Sequence, residues 1–288
     1  MTRPIDTLRG EQAGLQERYR DVLRRNRSQS LSAMLIAAAL AGLFVIGFAT
    51  LDIDWSRLLP GIAKLGEFAW LMAPPEPGST ARAILFLRSL GETLAIALLG
   101  TLTAAILAFP IGFLAAKNVI ANRIVHVLAR RSLDTIRGID VLVWALIWVS
   151  VVGLGPFAGI LAIVCSDFGS FGKLFSEAIE TADHKPVEGI IASGGSHVQS
   201  VRFGMLPQVL PVIASHILYY FESNTRSATI IGIVGAGGIG LHLSEQIRTL
   251  EWQHVSFIVI LILFAVAAID FVSSRLRFAI IGRKHVSV

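Results

Sequence analysis

Cysteine is almost missing from this sequence, which has one thiol, Cys165, in 288 residues. A single thiol excludes an intrachain disulfide, and no cluster of Cys and His has the spacing of a metal site. Catalytic motifs are missing as well: neither GxSxG nor HExxH nor a facing pair of aspartates is found. The Walker A sequence GxxxxGK[ST] is also absent. We therefore predict that this chain has no catalytic residues, no metal and no cofactor.

Charge is scarce too. Charged residues make up 16 % of the chain and apolar residues 54 %, against roughly 25 % charged residues in an average soluble domain. The mean hydropathy is +0.68 and the pI is near 9.8. A core of this size cannot hide so much apolar surface from water, so lipid must cover part of it. The basic residues cluster at the edges of apolar runs, which favours membrane lipid over nucleic acid as their partner.

Six apolar stretches are candidate membrane spans. The first has about 20 residues, which is enough to cross a bilayer and too long for a secretory signal. The third and fourth are short and flank the turn signal Gly153–Pro156, so we expect one of them to be tilted, extended or only partly inserted. The six stretches cover residues 31–51, 90–116, 139–152, 157–171, 208–234 and 255–272.

The positive-inside rule gives an orientation. Basic residues are in excess in the N-terminal segment, in the loop after the second span and in the tail, so all three should be cytoplasmic. Six spans with both termini inside satisfy these three markers, whereas five or seven spans would misplace one terminus. The basic residues of the loop and the tail are Lys117, Arg123, Arg130, Arg131, Arg137, Arg275, Arg277, Arg283 and Lys284.

These observations predict an all-α integral membrane protein, a six-span helical bundle with cytoplasmic helices in one loop. We divide it into a cytoplasmic polar N-terminus (1–29), a first span (30–51) and an extracytoplasmic interfacial segment (52–87). A transmembrane domain (88–275) with a cytoplasmic loop at 172–206 follows, and then a basic cytoplasmic tail (276–288).

The loop at 172–206 carries the most specific pattern. It predicts a short helix starting near Pro186, a break at Gly194-Gly195 and a second helix leading into the membrane. Glu188 is followed by a glycine six residues later and by Leu-Pro eighteen and nineteen residues later. This spacing resembles the loop motif of bacterial ABC importer permeases. The sequence departs from that motif in having Gly189 and Ile190 for two alanines, and Gly204 for a preferred isoleucine. The alternative is an ordinary loop helix.

Other segments resemble the phosphonate-type permeases of that family. They are residues 153–159, 172–180, 206–211, 221–229 and 232–240, and the resemblance extends from about residue 85 to the C-terminus. Methionine importer permeases are more distantly similar and share a glycine run like the one at 232–240.

The resemblance implies a non-catalytic permease of the type I ABC importer fold in a bacterial inner membrane. It implies as partners a second copy of this permease, two ABC ATPase subunits and an extracytoplasmic substrate-binding protein. The cargo it implies is phosphonate or a related phosphate or phosphite oxyanion; the alternatives are another small solute such as methionine or, less favoured, an ion-driven secondary transporter. The implied ATPase-coupling residues are Glu188, Gly189, Ala192, Gly194, Gly195, Leu206 and Pro207.

Residues of the fifth span are candidates for the translocation path. Glu222 and Arg226 are four residues apart, so they share a helix face and can pair. Charges at membrane depth are costly and tend to face the bundle interior or water. Arg226 therefore either lines the path, with Glu222 limiting its hold on an anion, or forms a structural ion pair. Asp140 and Asp167 are expected to be interfacial.

A glycine run follows the fifth span and is a candidate gate. Residues 235–240 match the dinucleotide fingerprint GxGxxG, but that motif needs a preceding strand and here an apolar span precedes it. A gate or a helix C-cap with a turn are the remaining interpretations. The residues concerned are Gly235, Gly237 and Gly238.

Overall fold

A computed structural model of the chain describes residues 32–51, 56, 58–120 and 122–282. The predicted N-terminal segment 1–29, Trp55 and the tail residues from 283 onward lie outside these ranges. Every regular element within them is a helix, so the all-α prediction is confirmed.

The helices follow one another with short connections. In chain order they are α1 (Ser32–Thr50), α2 (Leu58–Leu71), α3 (Thr80–Ala115), α4 (Arg123–Arg137), α5 (Val141–Val152), α6 (Pro156–Glu180), α7 (His184–Ala192), α8 (His197–Ile233), α9 (Ile239–Arg248) and α10 (Trp252–Ile281). The chain divides into two compact units, residues 1–67 and 68–288. The first contains α1 and most of α2, and the second contains the helical bundle.

Five helices are long and apolar enough to cross a membrane: α1, α3, α6, α8 and α10. α5 has 12 residues, about 18 Å at 1.5 Å per residue, which is short of a bilayer core of about 30 Å. α4 and α5 together pass the same test but are bent by 83°. Counting that pair as one span gives six, in agreement with the predicted number.

The four long spans of the bundle, α3, α6, α8 and α10, are longer than their apolar stretches indicated. α3 begins at Thr80, where the Ser79 hydroxyl accepts a hydrogen bond from the Arg82 N–H (3.2 Å) and caps the helix. α6 continues to Glu180, nine residues past the predicted end. Its last turns are polar and form ion pairs with α4: Lys173 with Asp134 (2.8 Å) and Glu180 with Arg130 (3.1 Å).

Small residues let α3, α6 and α8 approach closely. A Cβ on Gly100 would lie 2.7 Å from Ile163, and one on Gly112 would lie 2.8 Å from Phe175, both side chains of α6. Small residues at these positions permit such close helix packing. The largest core cluster joins these three helices around the buried rings of Phe171 and Phe175.

Candidate functional site

The predicted loop helix is α7. Asp183 caps its start by accepting a hydrogen bond from the Lys185 N–H (3.1 Å). It ends in a turn where Gly194 has φ +84°, a conformation that favours glycine. The N–H groups of Gly194 and Gly195 donate to the carbonyls of Ile191 and Ile190, both at 2.9 Å. The short helix, the break and the second helix predicted for this loop are therefore confirmed as local structure.

The coupling candidates on α7 are open to a partner. None of its nine residues, all of which are described, is buried. A Cβ at Gly189 or Gly194 would meet no atom within 4 Å. Gly195 differs, because a Cβ there would lie 2.8 Å from the Ile190 carbonyl oxygen. Glycine is needed at this position for the turn itself, because a side chain would collide with Ile190.

Gly204 explains one departure from the family pattern. A Cβ at this position would lie 3.0 Å from the Cα of Val187. α7 therefore rests directly on the start of α8, and the isoleucine that the pattern prefers would push the two apart. Gly204 is buried.

Leu206 and Pro207 do not break the helix that contains them. α8 runs without interruption from His197 to Ile233, and residues Ser200–Met205 form a π-helical turn. Proline has no N–H to donate to the carbonyl four residues back. A π turn before it shifts the hydrogen-bond ladder by one residue and so accommodates the missing donor.

Gln208 links α7 to α8 and was not predicted as a site residue. Its Oε1 accepts a hydrogen bond from the Asp183 N–H (3.0 Å), and its Nε2 donates to the carbonyls of Asp183 (3.2 Å) and Gly204 (2.6 Å). One side chain thus fastens the N-terminus of α7 to the π turn. The sequence showed a glutamine after Leu-Pro but gave no sign of what it reaches.

The glycine run forms a tight turn between α8 and α9. Gly235, Gly237 and Gly238 have φ of +100°, +83° and +72°. Because a helix precedes the run, the dinucleotide interpretation is excluded. Two side chains of α3 stabilise the turn. Glu92 Oε1 accepts a hydrogen bond from the Gly238 N–H (3.3 Å), and the Thr93 hydroxyl accepts one from the Ile239 N–H (2.8 Å).

Glu222 has two arginine partners, one of which the sequence did not reveal. Arg226 Nη1 lies 3.5 Å from its Oε1, as the four-residue spacing predicts. Arg277 Nη2, on α10, lies closer, at 3.0 Å from Oε2. The Glu222 side chain is 10 % exposed, Arg277 22 % and Arg226 48 %. The carboxylate therefore joins α8 to α10, while Arg226 retains an open face.

A buried polar cluster joins α3, α6 and α8. The Asn224 amide donates hydrogen bonds to the Asp167 carboxylate and to the Thr101 hydroxyl (2.8 Å). All three residues are at most 5 % exposed. The expectation that Asp167 is interfacial is wrong, because α6 is longer than predicted and places it in the bundle interior. Asp140 does lie at a helix end, where it caps α5 through the Leu142 N–H (2.8 Å).

Polar residues at one end of the bundle form ion pairs. Lys173 donates a hydrogen bond to Asp134 (2.8 Å), and Arg130 pairs with Glu180 (3.1 Å). Within the described residues, no group of three or more His, Cys, Asp or Glu side chains is placed to hold a metal ion.

Comparison with known proteins assigns the family. Residues 108–285 match the family described as "Binding-protein-dependent transport system inner membrane component". The permease protein HtxC of Stutzerimonas stutzeri is 36 % identical over 266 residues, which are 92 % of each chain. The phosphite transport system permease protein PtxC of the same organism is 36 % identical over 225 residues, 78 % of this chain and 81 % of PtxC.

A solved structure supports the fold. The inward-facing MetNI methionine ABC transporter contains a chain that matches 70 % of this chain and 99 % of its own length. The TM-score is 0.62 and the sequence identity 21 %, so this likeness concerns the fold alone. The family match and the identity to HtxC and PtxC show that this chain belongs to the binding-protein-dependent transport system inner membrane component family, the permeases of ABC importers.

Proposed function

We propose that this chain is the membrane-spanning permease subunit of an ATP-driven importer that translocates phosphonate or a related phosphate or phosphite oxyanion. The observation that carries the proposal is the exposed helix α7, seated on the start of a long span through Gly204 and Gln208. The relative PtxC is a phosphite transport system permease protein, which supports the cargo class.

α7 and the start of α8 present a surface suited to an ATPase subunit. Ile191 is 52 % exposed, Val198 74 % and Phe203 61 %, and we place them at the cytoplasmic end of the bundle, outside the lipid tails. Exposed apolar side chains in such a place mark interaction sites. Glu188 lies on the same short helix and can pair with a basic residue of the partner.

The contacts of α7 suggest how movement is passed on. A partner that pulls α7 also pulls the Gln208 side chain and the backbone at Gly204, both of which belong to α8. Because α8 is a regular α-helix from Leu206 to Ile233, displacement at Gln208 moves residues at membrane depth as a rigid body. The π turn at Ser200–Met205 is the place where α8 can bend.

Arg226 is the residue we assign to the anion path. Its side chain is 48 % exposed on the surface of one copy of the chain, and a cation at membrane depth avoids lipid. We infer that its face of α8 meets water or a second copy of this permease. Two arginines around one glutamate give a local charge of +1, which attracts an oxyanion while Glu222 keeps its hold weak enough for release. We assign the gate to the turn at Gly235, Gly237 and Gly238.

The orientation follows from the basic residues. We place both termini in the cytoplasm, α7 with them, and the turn between α8 and α9 on the extracytoplasmic side. A binding protein would deliver the anion to that side, and two ATPase subunits would drive a dimer of this chain.

Uptake by proteoliposomes tests the proposal. The vesicles contain this chain, the ATPase and the binding protein encoded beside it, and receive labelled phosphonate, phosphite, phosphate or methionine. We expect ATP-dependent uptake of at least one phosphorus oxyanion and none of methionine. Uptake of methionine alone would refute the cargo class, and uptake without ATP or the ATPase would refute the importer mechanism.

A further inference from the structure

A basic cavity lies next to the C-terminal end of α3. It has a volume of about 370 Å³ and is lined by Lys117, Ile120, Arg123, His126 and Val127. Ligand sites in proteins typically have volumes of about 300–1,000 Å³. The family motifs do not include these residues, and the cavity is separate from α7, from Arg226 and from the glycine turn.

The loop that forms one wall is fixed in place. The Lys117 N–H donates to Glu180 Oε1 (3.0 Å), and the Asn118 amide donates to the Ile179 carbonyl (2.8 Å). Both acceptors belong to the last turn of α6. The Glu180 carboxylate is also engaged by Arg130 at 3.1 Å. The Glu180 carboxylate is therefore already paired with Arg130. It also fixes the Lys117 backbone, while the Lys117 side chain lines the cavity.

The other wall is the first turns of α4. Asn122 Oδ1 accepts from the N–H groups of Ile124 (2.9 Å) and Val125 (3.4 Å), so these two donors are already used. An anion here would thus be held by side chains. Within the part of the chain that the structure describes, Lys117 and Arg123 form no ion pair through their side chains, and no carboxylate lines the cavity.

His126 adds a buried polar group to the lining of the cavity. It is 8 % exposed, and its Nδ1 has no hydrogen-bond partner among the described residues. A buried imidazole nitrogen without a partner is costly and is typically satisfied by a ligand, an ion or water. Two cations and this imidazole converge on one cavity without a counter-charge.

Apolar side chains beside the cavity indicate how a ligand would arrive. Ile124 is 70 % exposed, Val127 45 % and Leu128 63 %. A helix with cations on one side and exposed aliphatic side chains on another suits the boundary between headgroups and acyl chains. Basic pockets at the ends of spans are known sites for acidic lipid headgroups.

We propose that this cavity binds a phosphate group, either from an anionic phospholipid or as free inorganic phosphate. Lys117 and Arg123 neutralise its charge, and His126 donates or accepts a hydrogen bond. With a lipid, the acyl chains would lie along Ile124, Val127 and Leu128.

Titration of the purified full-length chain tests the proposal with two probes. Native mass spectrometry follows binding of dioleoylphosphatidylglycerol against dioleoylphosphatidylcholine, and thermal melting follows inorganic phosphate against chloride. The test variants are the double substitution Lys117→Gln/Arg123→Gln and Val127→Trp, which fills the cavity without changing its charge. The control is Arg131→Gln, a cation of the same helix that is 81 % exposed and does not line the cavity.

We expect at least one of the two phosphate probes to bind wild-type protein better than its reference. Each cation removed should weaken that binding about fivefold, Val127→Trp should weaken it too, and Arg131→Gln should change it less than about twofold. Preference for phosphatidylglycerol identifies a lipid as the source of the phosphate group, and preference for inorganic phosphate identifies the free ion. The proposal is overturned if neither probe exceeds its reference, if the double variant binds as wild type, or if Arg131→Gln weakens binding equally.

Discussion

Arg277 Nη2 lies 3.0 Å from Oε2 of Glu222, closer than the arginine four residues along the same helix. The Glu222 carboxylate is therefore closer to its partner on α10 than to its partner within α8. This relationship assigns different tasks to the two arginines beside Glu222. Arg277 stabilises the bundle, and the more exposed Arg226 is available to an anion.

Substitution of the two arginines should separate stability from transport. Arg277→Gln leaves a carboxylate that is 10 % exposed without its nearest partner, so we expect a loss of about 3 kcal/mol in folding free energy, at the lower end for buried pairs because Arg226 remains close. Arg226→Gln should cost about 1 kcal/mol or less but reduce oxyanion uptake roughly tenfold, as expected for one lost charged contact. Melting followed by fluorescence-detected size-exclusion chromatography, beside uptake, makes the comparison. Equal destabilisation by both variants would contradict this assignment.

The end of α7 offers a test of docking. Gly194 has φ +84° and open space around its Cβ position, so Gly194→Trp should fold, with a backbone cost of about 1–2 kcal/mol. The indole would obstruct a partner that approaches α7, and we expect ATP-driven uptake to be lost while membrane insertion is kept. Gly194→Asn is the matched control, because asparagine tolerates this conformation and is small. Normal uptake by the tryptophan variant would count against α7 as the docking element.

Gln208 should be needed for coupling. Gln208→Leu removes two hydrogen bonds to Asp183, which caps α7, and one to the Gly204 carbonyl of the π turn, each with a net value of about 1 kcal/mol. We expect ATP hydrolysis by the assembled complex to continue while uptake per ATP falls. Gln199→Leu is the control, since Gln199 Oε1 also accepts a backbone N–H, that of Ser196 just before α8, and this hydrogen bond does not involve α7. If uptake per ATP is unchanged in Gln208→Leu, the hydrogen bonds of Gln208 do not transmit movement from α7 to α8.

The stability of the bundle should depend on which member of the buried cluster, Asp167 or Asn224, carries the acid. Asn224→Asp puts a second carboxylate against Asp167, and like charges at such a distance strongly oppose folding. Asn224→Leu leaves Asp167 without its amide donor, at a cost of about 1–3 kcal/mol. The exchange Asp167→Asn/Asn224→Asp restores one acid and one amide, so we expect melting to recover most of the loss. Recovery no better than that of the worse single variant would show that the two side chains do not act as a pair.

The sequence predicted the architecture because lipid imposes simple rules. An apolar run of about 20 residues becomes a helix. Glycine and proline mark the turn between two helices, as at Gly153, which caps the end of α5, and Pro156, where α6 begins. Span ends were less predictable. Lys173 and Glu180 read as loop residues by polarity, yet they extend α6 because α4 supplies their ion-pair partners.

The missed site residues share one physical reason. Arg277 meets Glu222, Gln208 meets Asp183, and Glu92 meets the glycine turn only after distant segments have folded together. Local spacing indicated only the contact within one helix, the pair of Glu222 and Arg226. The motif at Glu188–Gly194 was readable because it is also local, a short helix and the turn that ends it.

Side-specific labelling at position 194 tests the central claim most directly. In a Cys165→Ala background, Gly194→Cys gives a single thiol on an exposed turn, to be probed with a membrane-impermeant maleimide. We predict labelling in inside-out vesicles, reduced when the ATPase subunit is bound, and none in intact spheroplasts. Labelling from the outside of intact spheroplasts would contradict the proposal that α7 faces the cytoplasm and receives the motor.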